Sequence, residues 1–347
     1  MKKLLFLFIL LLPFKAFAFS SSAQSVILMD MDSKRVIYGK DIYRVQSVAS
    51  ISKVMKAIVA IENGNLDDVV TVGDEILKAY GSGIYIQIGE NIKLRDLIYG
   101  LLLRSGNDAA LAIAQFVSGD VSNFVKKMNE TASKIGMKNT VFNNPSGLDE
   151  DKGNYSDVYD MALLMSYAMK NNEFKKITGT KNYKVKTDKN VYKWKNKNKV
   201  LFNYKYATGG KTGFTKIAKR TLITTAAHDG LNLTVVTFND GNDFEDHQKL
   251  YEEAYENYYN YRILKKGYLK IPLENYYDNL YIKSDLKYPL SLMEKDSVKI
   301  KYSLIKKRKF KDGDVVGKAD LYLGDRAVTS LNVYVKEGKK SFWDFFK

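Results

Sequence analysis

The sequence predicts an α+β protein in which helices flank an antiparallel sheet, followed by a small all-β domain. Alternating apolar segments at 26–29 and 36–38 are typical of an opening β-hairpin. Three more strand-like segments, at 211–215, 221–227 and 233–238, come after a long and mostly helical region. We therefore expect both groups of strands to form one sheet, with the helices packed against it.

The helices are predicted from runs of apolar residues with helical spacing. Residues 53–61 are mostly apolar, which indicates a largely buried helix. The segments 124–135 and 157–169 predict further helices, and 246–262 closes this domain, which we place at 19–264.

The last part of the chain, 265–338, is predicted to be an all-β domain. Short segments such as 281–283, 298–302 and 331–335 alternate apolar and polar residues and are separated by glycine turns. Because none of its motifs is typical of catalysis, we expect a spacer or docking role for this domain.

The two ends of the chain indicate export. Residues 1–18 combine a charged start, nine apolar residues and Ala16-Phe17-Ala18, which is typical of a cleaved signal peptide. Nine apolar residues are too few to span a bilayer. The mature protein is therefore expected on the outer face of the cytoplasmic membrane or in the cell wall. Residues 339–347 place four aromatic side chains among three lysines, which suits an amphipathic tail at the membrane surface.

Composition limits the available chemistry. The chain has no cysteine and two histidines, His228 and His247. This excludes disulfides and a thiolate zinc site, and it leaves no evident Ser-His-Asp triad. We expect no metal and no cofactor, so a lysine has to serve as the catalytic base.

The chain is strongly basic, with a formal net charge of +16, or +13 without the three lysines of the predicted signal peptide. Such a surplus favours anionic surfaces such as phospholipid headgroups and wall polymers. The segment 181–205 interleaves lysines with aromatic residues, a pattern that could imitate a nucleic-acid-binding patch. Because an exported protein rarely meets nucleic acid, we expect a solvated hairpin there and no nucleic-acid partner.

Three short motifs form one constellation: Ser50-Ile51-Ser52-Lys53, Ser105-Gly106-Asn107 and Lys211-Thr212-Gly213. An S-x-x-K near the start of a helix, an S-x-N and a K-T-G on a strand are the motif set of a large group of active-serine acyl-transfer enzymes. Each motif alone is common by chance, whereas all three in this order are not.

The first motif predicts a nucleophile and its base. A serine hydroxyl is a weak nucleophile at neutral pH and needs an adjacent base. Lys53 follows Ser50 by one helical turn, so both side chains share a face. A lysine can act as the base only if burial and neighbouring positive charge lower its pKa.

The other two motifs predict the opposite wall of a cleft. The Ser105 hydroxyl is expected to relay a proton to the leaving amine, and the Asn107 amide to hold the base and the substrate backbone. Lys211 adds a positive charge that lowers the pKa of the base and attracts an anionic substrate terminus, to which Thr212 donates its hydroxyl. Gly213 and the neighbouring glycines allow a substrate backbone to lie against the strand.

From residue 24 to residue 340 the chain resembles the D-alanyl-D-alanine carboxypeptidases, which are low-molecular-weight penicillin-binding proteins of serine peptidase family S11, here of the Gram-positive type. The resemblance rests on the three motifs and on the segments 62–70, 103–110, 144–148 and 209–215. It implies a penicillin-binding, β-lactamase-like fold for the first domain. It also implies removal of the terminal D-alanine from peptidoglycan stem peptides through an acyl-enzyme, with β-lactam antibiotics as covalent inhibitors.

The same resemblance assigns roles to the motif residues. It implies that the backbone amides of Ser50 and Phe214 form the oxyanion hole. The side-chain roles that it implies are nucleophile for Ser50, base for Lys53, second wall of the cleft for Ser105 and Asn107, and carboxylate grip for Lys211 and Thr212.

Two positions depart from the family pattern. Val48-Ala49-Ser50 stands where Pro-Ala-Ser is usual, and Ala218-Lys219 stands where Ala-Gly is usual. Neither change removes a catalytic group. Lys219 places a side chain where bare backbone is usual, so we expect the local turn and the nearby rim of the cleft to differ.

Other functions stay open for the same motifs. A class A β-lactamase shares all three but relies on a glutamate in an E-x-x-L-N loop for rapid deacylation, and residues 136–156 contain no such string. A D,D-endopeptidase or a transpeptidase differs in the shape of the cleft, which the motifs do not determine. A non-catalytic wall-binding protein would have no need of the intact pair of nucleophile and base.

Overall fold

The computed structural model describes residues 19–149, 152–272 and 276–336. Short 3-10 turns lie at Ala49–Ser52, Asp74–Lys78 and Lys295–Ser297, and a π-helical turn lies at Gly100–Arg104. The α-helices of the described residues are α1 Lys53–Asn63, α2 Leu94–Tyr99, α3 Asn107–Ser118, α4 Val121–Ile135, α5 Val158–Ala168, α6 Asn172–Thr178, α7 Val200–Asn203 and α8 Asp243–Asn257.

The strands of the same residues are β1 Ser25–Asp30, β2 Val36–Lys40, β3 Gln46–Ser47, β4 Val69–Thr71, β5 Asn91–Lys93, β6 Tyr155–Ser156, β7 Asn182–Lys186, β8 Val191–Lys195, β9 Ala207–Thr215, β10 Lys219–His228, β11 Leu231–Phe238, β12 Tyr258–Leu264, β13 Gly267–Leu269, β14 Leu280–Ile282, β15 Leu286–Ser291, β16 Val298–Leu304, β17 Val315–Leu323 and β18 Arg326–Val335.

A five-stranded antiparallel sheet forms the centre of the first domain, in the order β2-β1-β11-β10-β9. Every residue of β1 is buried, because cores lie on both faces of the sheet. Ile27 and Met29 pack with the helical half of the domain, whereas Val26 and Leu28 pack with α8. The predicted union of the opening and later strands in one sheet is confirmed.

Helix α1 is the buried helix predicted at 53–61. Its residues from Lys53 to Ala60 are all buried, and it contacts α3, α4 and α5. The two lysines among these residues, Lys53 and Lys56, therefore lie inside the helical core. The start of α1 lies beside β9, the edge strand of the sheet, because the preceding 3-10 turn contacts that strand.

The C-terminal region is all-β, as predicted. Strands β13-β14-β18-β17-β16 form one sheet, and β12 pairs with β15. Strand β12 continues directly from α8, so the segment 246–262 divides into a helix and a strand.

Arg35 of the first domain contacts Glu294 and the carbonyl oxygen of Pro289, and its guanidinium lies 5.3 Å from the ring centroid of Tyr288. These contacts tie the opening hairpin to β15; the domain limit at 264 stays a prediction.

The predicted signal peptide, 1–18, and the predicted tail, 339–347, lie outside the described residues. Within the part of the chain that the structure describes, no helix has the length and apolar character needed to cross a bilayer.

The turn between β9 and β10 explains what Lys219 does to the local backbone. Thr215 pairs with Lys219 across three turn residues, 216–218, and Lys219 has a positive φ of 58°. Hairpins with three-residue loops commonly place a left-handed residue at this point, and glycine is preferred there because it lacks a Cβ. The departure at Ala218-Lys219 therefore takes the form of local backbone strain.

We expect Lys219→Gly to raise the free energy of unfolding by about 0.5–1 kcal/mol, because relief of the left-handed strain exceeds the extra backbone entropy of glycine. Thermal unfolding followed by circular dichroism measures the change. Lys216→Gly removes the same charge from the same turn at a residue without a positive φ, and it should not stabilise the protein. Equal gains in both variants would show that the strain is not at Lys219.

Candidate active site

The nucleophile candidate lies on a strained turn that leads directly into α1. Ser50 belongs to the 3-10 turn Ala49–Ser52, and Ala49 has a positive φ of 50°. Such a conformation is unfavourable for a residue with a Cβ and is often retained at functional sites. The turn places Ser50 and Lys53 together, with 3.0 Å between Ser50 Oγ and Lys53 Nζ.

The amine of Lys53 has three close neighbours in a fully buried position. Nζ lies 2.8 Å from Asn107 Oδ1, contacts the carbonyl oxygen of Ser146, and faces Ser50 Oγ. A neutral amine has two N–H bonds and one lone pair. Because the amide and carbonyl oxygens accept the two hydrogens, the lone pair is left for the Ser50 hydroxyl.

Burial lowers the pKa of Lys53 to about 7, because the charged form loses its hydration. The positive charge of Lys197 lowers this pKa further, and the carboxylate of Asp108 acts in the opposite direction. A large neutral fraction of Lys53 therefore exists near pH 7. Burial and a neighbouring cation both lower the pKa of Lys53, as expected, but the cation is Lys197 and not the predicted Lys211. Lys211 is buried as well, and its own pKa is lowered.

Lys211 faces the second wall of the cleft from β9. Its Nζ lies 3.1 Å from Ser105 Oγ and 2.6 Å from the carbonyl oxygen of Thr212. Burial, followed by the charges of Lys53 and Lys197, lowers the pKa of Lys211 well below 10.5. An anionic group bound beside Lys211 would favour its protonated form.

Ser105 and Asn107 reach the cleft because α2 ends in the π-helical turn Gly100–Arg104, a feature that is frequent at functional sites. Ser105 follows this turn with a positive φ of 67°, and α3 begins two residues later. Asn107 Nδ2 donates to the carbonyl oxygen of Tyr80 over 2.6 Å. This bond fixes the amide so that its oxygen points to Lys53.

Two glycines allow backbone segments to approach the Ser50 turn. A Cβ on Gly213 would lie 3.0 Å from the Ser50 nitrogen, and a Cβ on Gly147 would lie 2.3 Å from the carbonyl oxygen of Ala49. Strand β9 therefore runs directly beside the nucleophile, while the loop that carries Gly147 supports the turn. This proximity suits an oxyanion hole formed by the amides of Ser50 and Phe214.

A cavity of about 370 Å³ opens in front of Ser50. Lys197 and Lys199 add positive charge to its wall, whereas Arg220 is paired with Asp243 at 2.5 Å. A small anionic group is therefore favoured beside the nucleophile. The motif residues that line the cavity are Ser50, Ser105, Thr212 and Gly213, together with the adjoining Phe214.

Three parts of the site were not identified from the sequence. Lys197 and Lys199 belong to the lysine-rich segment, where the composition does not distinguish them from their neighbours. Ser146 acts through its carbonyl oxygen, so the identity of its side chain gives no sequence signal.

Of the two histidines, His247 is buried between the hydroxyls of two threonines, and burial lowers its pKa to about 3.

Comparisons with known proteins match both parts of the chain. A family model described as D-alanyl-D-alanine carboxypeptidase matches residues 14–242, and one described as penicillin-binding protein 5, C-terminal domain, matches residues 259–341. The chain is 35% identical over 223 residues to D-alanyl-D-alanine carboxypeptidase DacF of Bacillus subtilis; this match covers 62% of the chain and only 57% of that relative. The match to DacA of Haemophilus influenzae, with 29% identity, covers 90% of the chain and 84% of that relative.

Solved structures agree with the fold. Penicillin-binding protein 5 from Haemophilus influenzae superimposes with a TM-score of 0.77 at 26% identity, over 92% of this chain and 97% of that one. A mutant of the Streptomyces K15 DD-transpeptidase superimposes with a TM-score of 0.64 at 30% identity, over 68% of this chain and 99% of that one. The α+β fold with a C-terminal all-β domain, which was expected from the sequence, is confirmed.

A second lysine, Lys56, is fully buried one turn after Lys53. Its Nζ donates to the carbonyl oxygen of Ala110 on α3 and lies 5.2 Å from the ring centroid of Phe124. Burial, and then the charge of Lys53, lowers the pKa of Lys56 well below 10.5. Below pH 10.5 Lys56 is protonated in the unfolded chain, whereas the folded chain holds this proton less tightly. The difference in proton affinity lowers the free energy of unfolding.

We expect Lys56→Met to raise the free energy of unfolding at neutral pH by on the order of 1 kcal/mol or more, because methionine fills similar space without an amine to desolvate. The gain should shrink as the pH approaches 10.5, where the unfolded lysine also loses its proton. Denaturant unfolding at neutral and alkaline pH measures this dependence, with the exposed Lys138→Met as control. A net loss of stability would mean that the hydrogen bond to Ala110 outweighs the desolvation.

Proposed function

Because the chain belongs to the D-alanyl-D-alanine carboxypeptidase family, we propose that it removes the terminal D-alanine from peptidoglycan stem peptides through an acyl-enzyme on Ser50. The placement of the Lys53 amine carries this proposal. Two fixed acceptors take the hydrogens of that amine, and its lone pair faces the Ser50 hydroxyl at 3.0 Å. β-Lactams acylate the same hydroxyl.

The first step forms the acyl-enzyme. Lys53 takes the Ser50 proton while the serine oxygen attacks the carbonyl carbon between the two terminal D-alanines. The negative charge that develops on the carbonyl oxygen is stabilised by the backbone N–H groups of Ser50 and Phe214. As the C–N bond breaks, the proton held by Lys53 passes through the Ser105 hydroxyl to the leaving amine, and Lys53 is neutral again.

The second step releases the shortened peptide. Lys53 takes a proton from a water molecule whose oxygen attacks the ester carbon on Ser50. The C–O bond of the ester then breaks, and the Ser50 oxygen leaves with the proton from Lys53. The enzyme returns to its starting state with one peptide bond hydrolysed.

The carboxylate of the terminal D-alanine binds to Lys211 and Thr212. Lys197 and Lys199 on the cavity wall add positive potential that attracts it. Because the carboxylate favours the protonated form of Lys211, binding of the substrate draws a proton into the site. Specificity for a substrate with a free C-terminal carboxylate follows from the pairing of that carboxylate with protonated Lys211.

The substrate places the reaction outside the cytoplasmic membrane. The signal peptide 1–18 exports the chain, and the tail 339–347 associates with the membrane surface. Catalysis belongs to the domain at 19–264, and the all-β domain at 265–338 holds it away from the membrane.

Two related activities use the same acyl-enzyme. One similar structure carries the name DD-transpeptidase, and in such a reaction an amine replaces water as the acceptor. A β-lactamase needs rapid attack by water on the acyl-enzyme. Among the described residues no carboxylate is hydrogen-bonded to Ser50 or Lys53, so bound penicillin is released slowly.

Incubation of residues 19–347 with a pentapeptide ending in D-Ala-D-Ala should release free D-alanine, and a fluorescent penicillin should label the protein stably. Ser50→Ala should abolish both signals, and Lys53→Ala should lower turnover by about 10²–10⁴-fold because the general base is lost. The exposed Ser122→Ala serves as the control. Release of D-alanine by Ser50→Ala would refute the assignment of the nucleophile. Penicillin hydrolysis that keeps pace with D-alanine release would indicate a β-lactamase, and a cross-linked product a transpeptidase.

The rate of acylation by penicillin should fall about tenfold per pH unit below about pH 7, because only neutral Lys53 accepts the Ser50 proton. Lys197→Gln removes a charge that lowers the pKa of Lys53, so this acid limb should move to higher pH. Stopped-flow acylation across the pH range measures the shift. Lys199→Gln removes the same charge from the cavity wall, and a shift of equal size in this variant would show that Lys197 has no specific effect on Lys53.

A further inference from the structure

The β7–β8 hairpin separates its aromatic and its cationic side chains onto opposite faces. The aromatic residues point inward: Tyr183 stacks on Tyr99 with 3.6 Å between ring centroids, and Trp194 is buried. These rings are therefore unavailable for stacking on nucleic-acid bases. The outer face consists of exposed residues, among them the lysines Lys184, Lys186, Lys193 and Lys195.

The charges of this outer face oppose the folding of the hairpin. Lys184 and Lys193 are directly opposite each other in the strand register, and like charges at such positions are destabilising. None of the ion pairs in the described residues includes one of the four lysines. Of the nearby acids, Asp96 and Glu90 bond to tyrosine hydroxyls on the inner face, and Asp188 in the turn accepts hydrogen bonds from a neighbouring asparagine. Lys195 has one attractive contact, with its Nζ 5.0 Å from the ring centroid of Phe202. That single contact does not account for the concentration of charge on this face.

The row of lysines continues from the hairpin to the cavity in front of Ser50. After Lys195 exposed residues alternate with buried ones, and the next two exposed residues are Lys197 and Lys199. Both line the cavity. Arg104, whose guanidinium donates to the carbonyl oxygen of Lys195 over 3.4 Å, adds a further positive charge beside this row. The outer face and the cavity thus form one cationic path.

We propose that the outer face of the β7–β8 hairpin is a docking surface for a linear, phosphodiester-linked anionic polymer of the cell envelope. The face is two strands wide, so it presents a narrow row of charges that matches a chain of regularly spaced phosphates. A flat bilayer pressed on the same face would cover the mouth of the cavity, which the stem peptide has to enter.

Docking of this kind concentrates substrate at the site. A polymer that is attached to the same wall as the stem peptides holds them near the cavity, and the second contact then forms at a raised effective concentration. This role rests on the proposed function. Binding of the polymer itself does not, because it requires no catalysis.

Binding of long-chain inorganic polyphosphate to residues 19–347 tests the proposal. A variant with Lys184, Lys186, Lys193 and Lys195 changed to Gln should bind about tenfold more weakly or worse. The plot of log binding constant against log salt concentration should be less steep, by on the order of 2–3 in slope. Fewer phosphates are neutralised in this variant, so binding releases fewer counterions. The matched control has the same net charge as the hairpin variant, because it also changes four exposed lysines to Gln. These four lysines belong to the all-β domain and are Lys287, Lys299, Lys301 and Lys318.

The outcomes separate the possible sources of binding. A preserved or raised melting temperature shows that the hairpin variant is folded, since it loses a repulsion. Equal weakening in both variants would overturn the proposal in favour of net charge. Lysine-dependent binding to phosphatidylglycerol vesicles, without binding to polyphosphate, would overturn it in favour of a bilayer. If the unchanged protein fails to cleave the soluble pentapeptide, the proposed function fails, while loss of polyphosphate binding in the hairpin variant would still support the docking surface.

Discussion

The site depends on keeping one amine dry and uncharged. Lys53 is buried in the helical core, and its amine has three hydrogen-bond partners among the described residues, which are Ser50 Oγ, Asn107 Oδ1 and the carbonyl oxygen of Ser146. An ammonium in this position would be poorly solvated, so the environment itself favours the basic form. Burial of α1 is therefore a requirement of the chemistry as well as of folding, and any change that admits water to this helix weakens the base.

The groups that surround this amine arrive at the ends of separate elements, and several of them arrive with strained backbone. Ala49 and Ser105 both have positive φ values, of 50° and 67°. Conformations of this kind cost on the order of 1 kcal/mol each and persist only where the surroundings determine them. Here the large shared core beneath α1, α3 and the sheet provides that support, so the catalytic geometry is maintained by packing far from the reacting atoms.

Much of this arrangement could be predicted from the sequence, because its signals are local. The buried helix from Lys53 onward and the three motifs are readable as short patterns, and the order of the motifs predicts which residues meet. The Ser146 carbonyl was not predictable, since a backbone contact leaves no trace in side-chain identity. Lys197 was not predictable either, because it is one lysine among many in the sequence. Only its position at the cavity distinguishes it from the others. The strand after α8 was also missed, since its pairing with β15 is a long-range contact.

Burial divides the lysines of this protein into two groups with opposite electrostatic behaviour. The formal net charge of +16 counts every lysine equally, yet Lys53, Lys56 and Lys211 are buried and their pKa values are lowered. These residues contribute less positive charge at neutral pH than composition suggests. The charge that remains is on the exposed lysines, and Lys197 is the point at which the two groups meet, because it is exposed and still lowers the pKa of two buried amines. Desolvation and the charge of Arg104 lower the pKa of Lys197 as well. Lysines whose pKa values are lowered to different degrees allow a single residue type to act both as a base and as an attractant for anions.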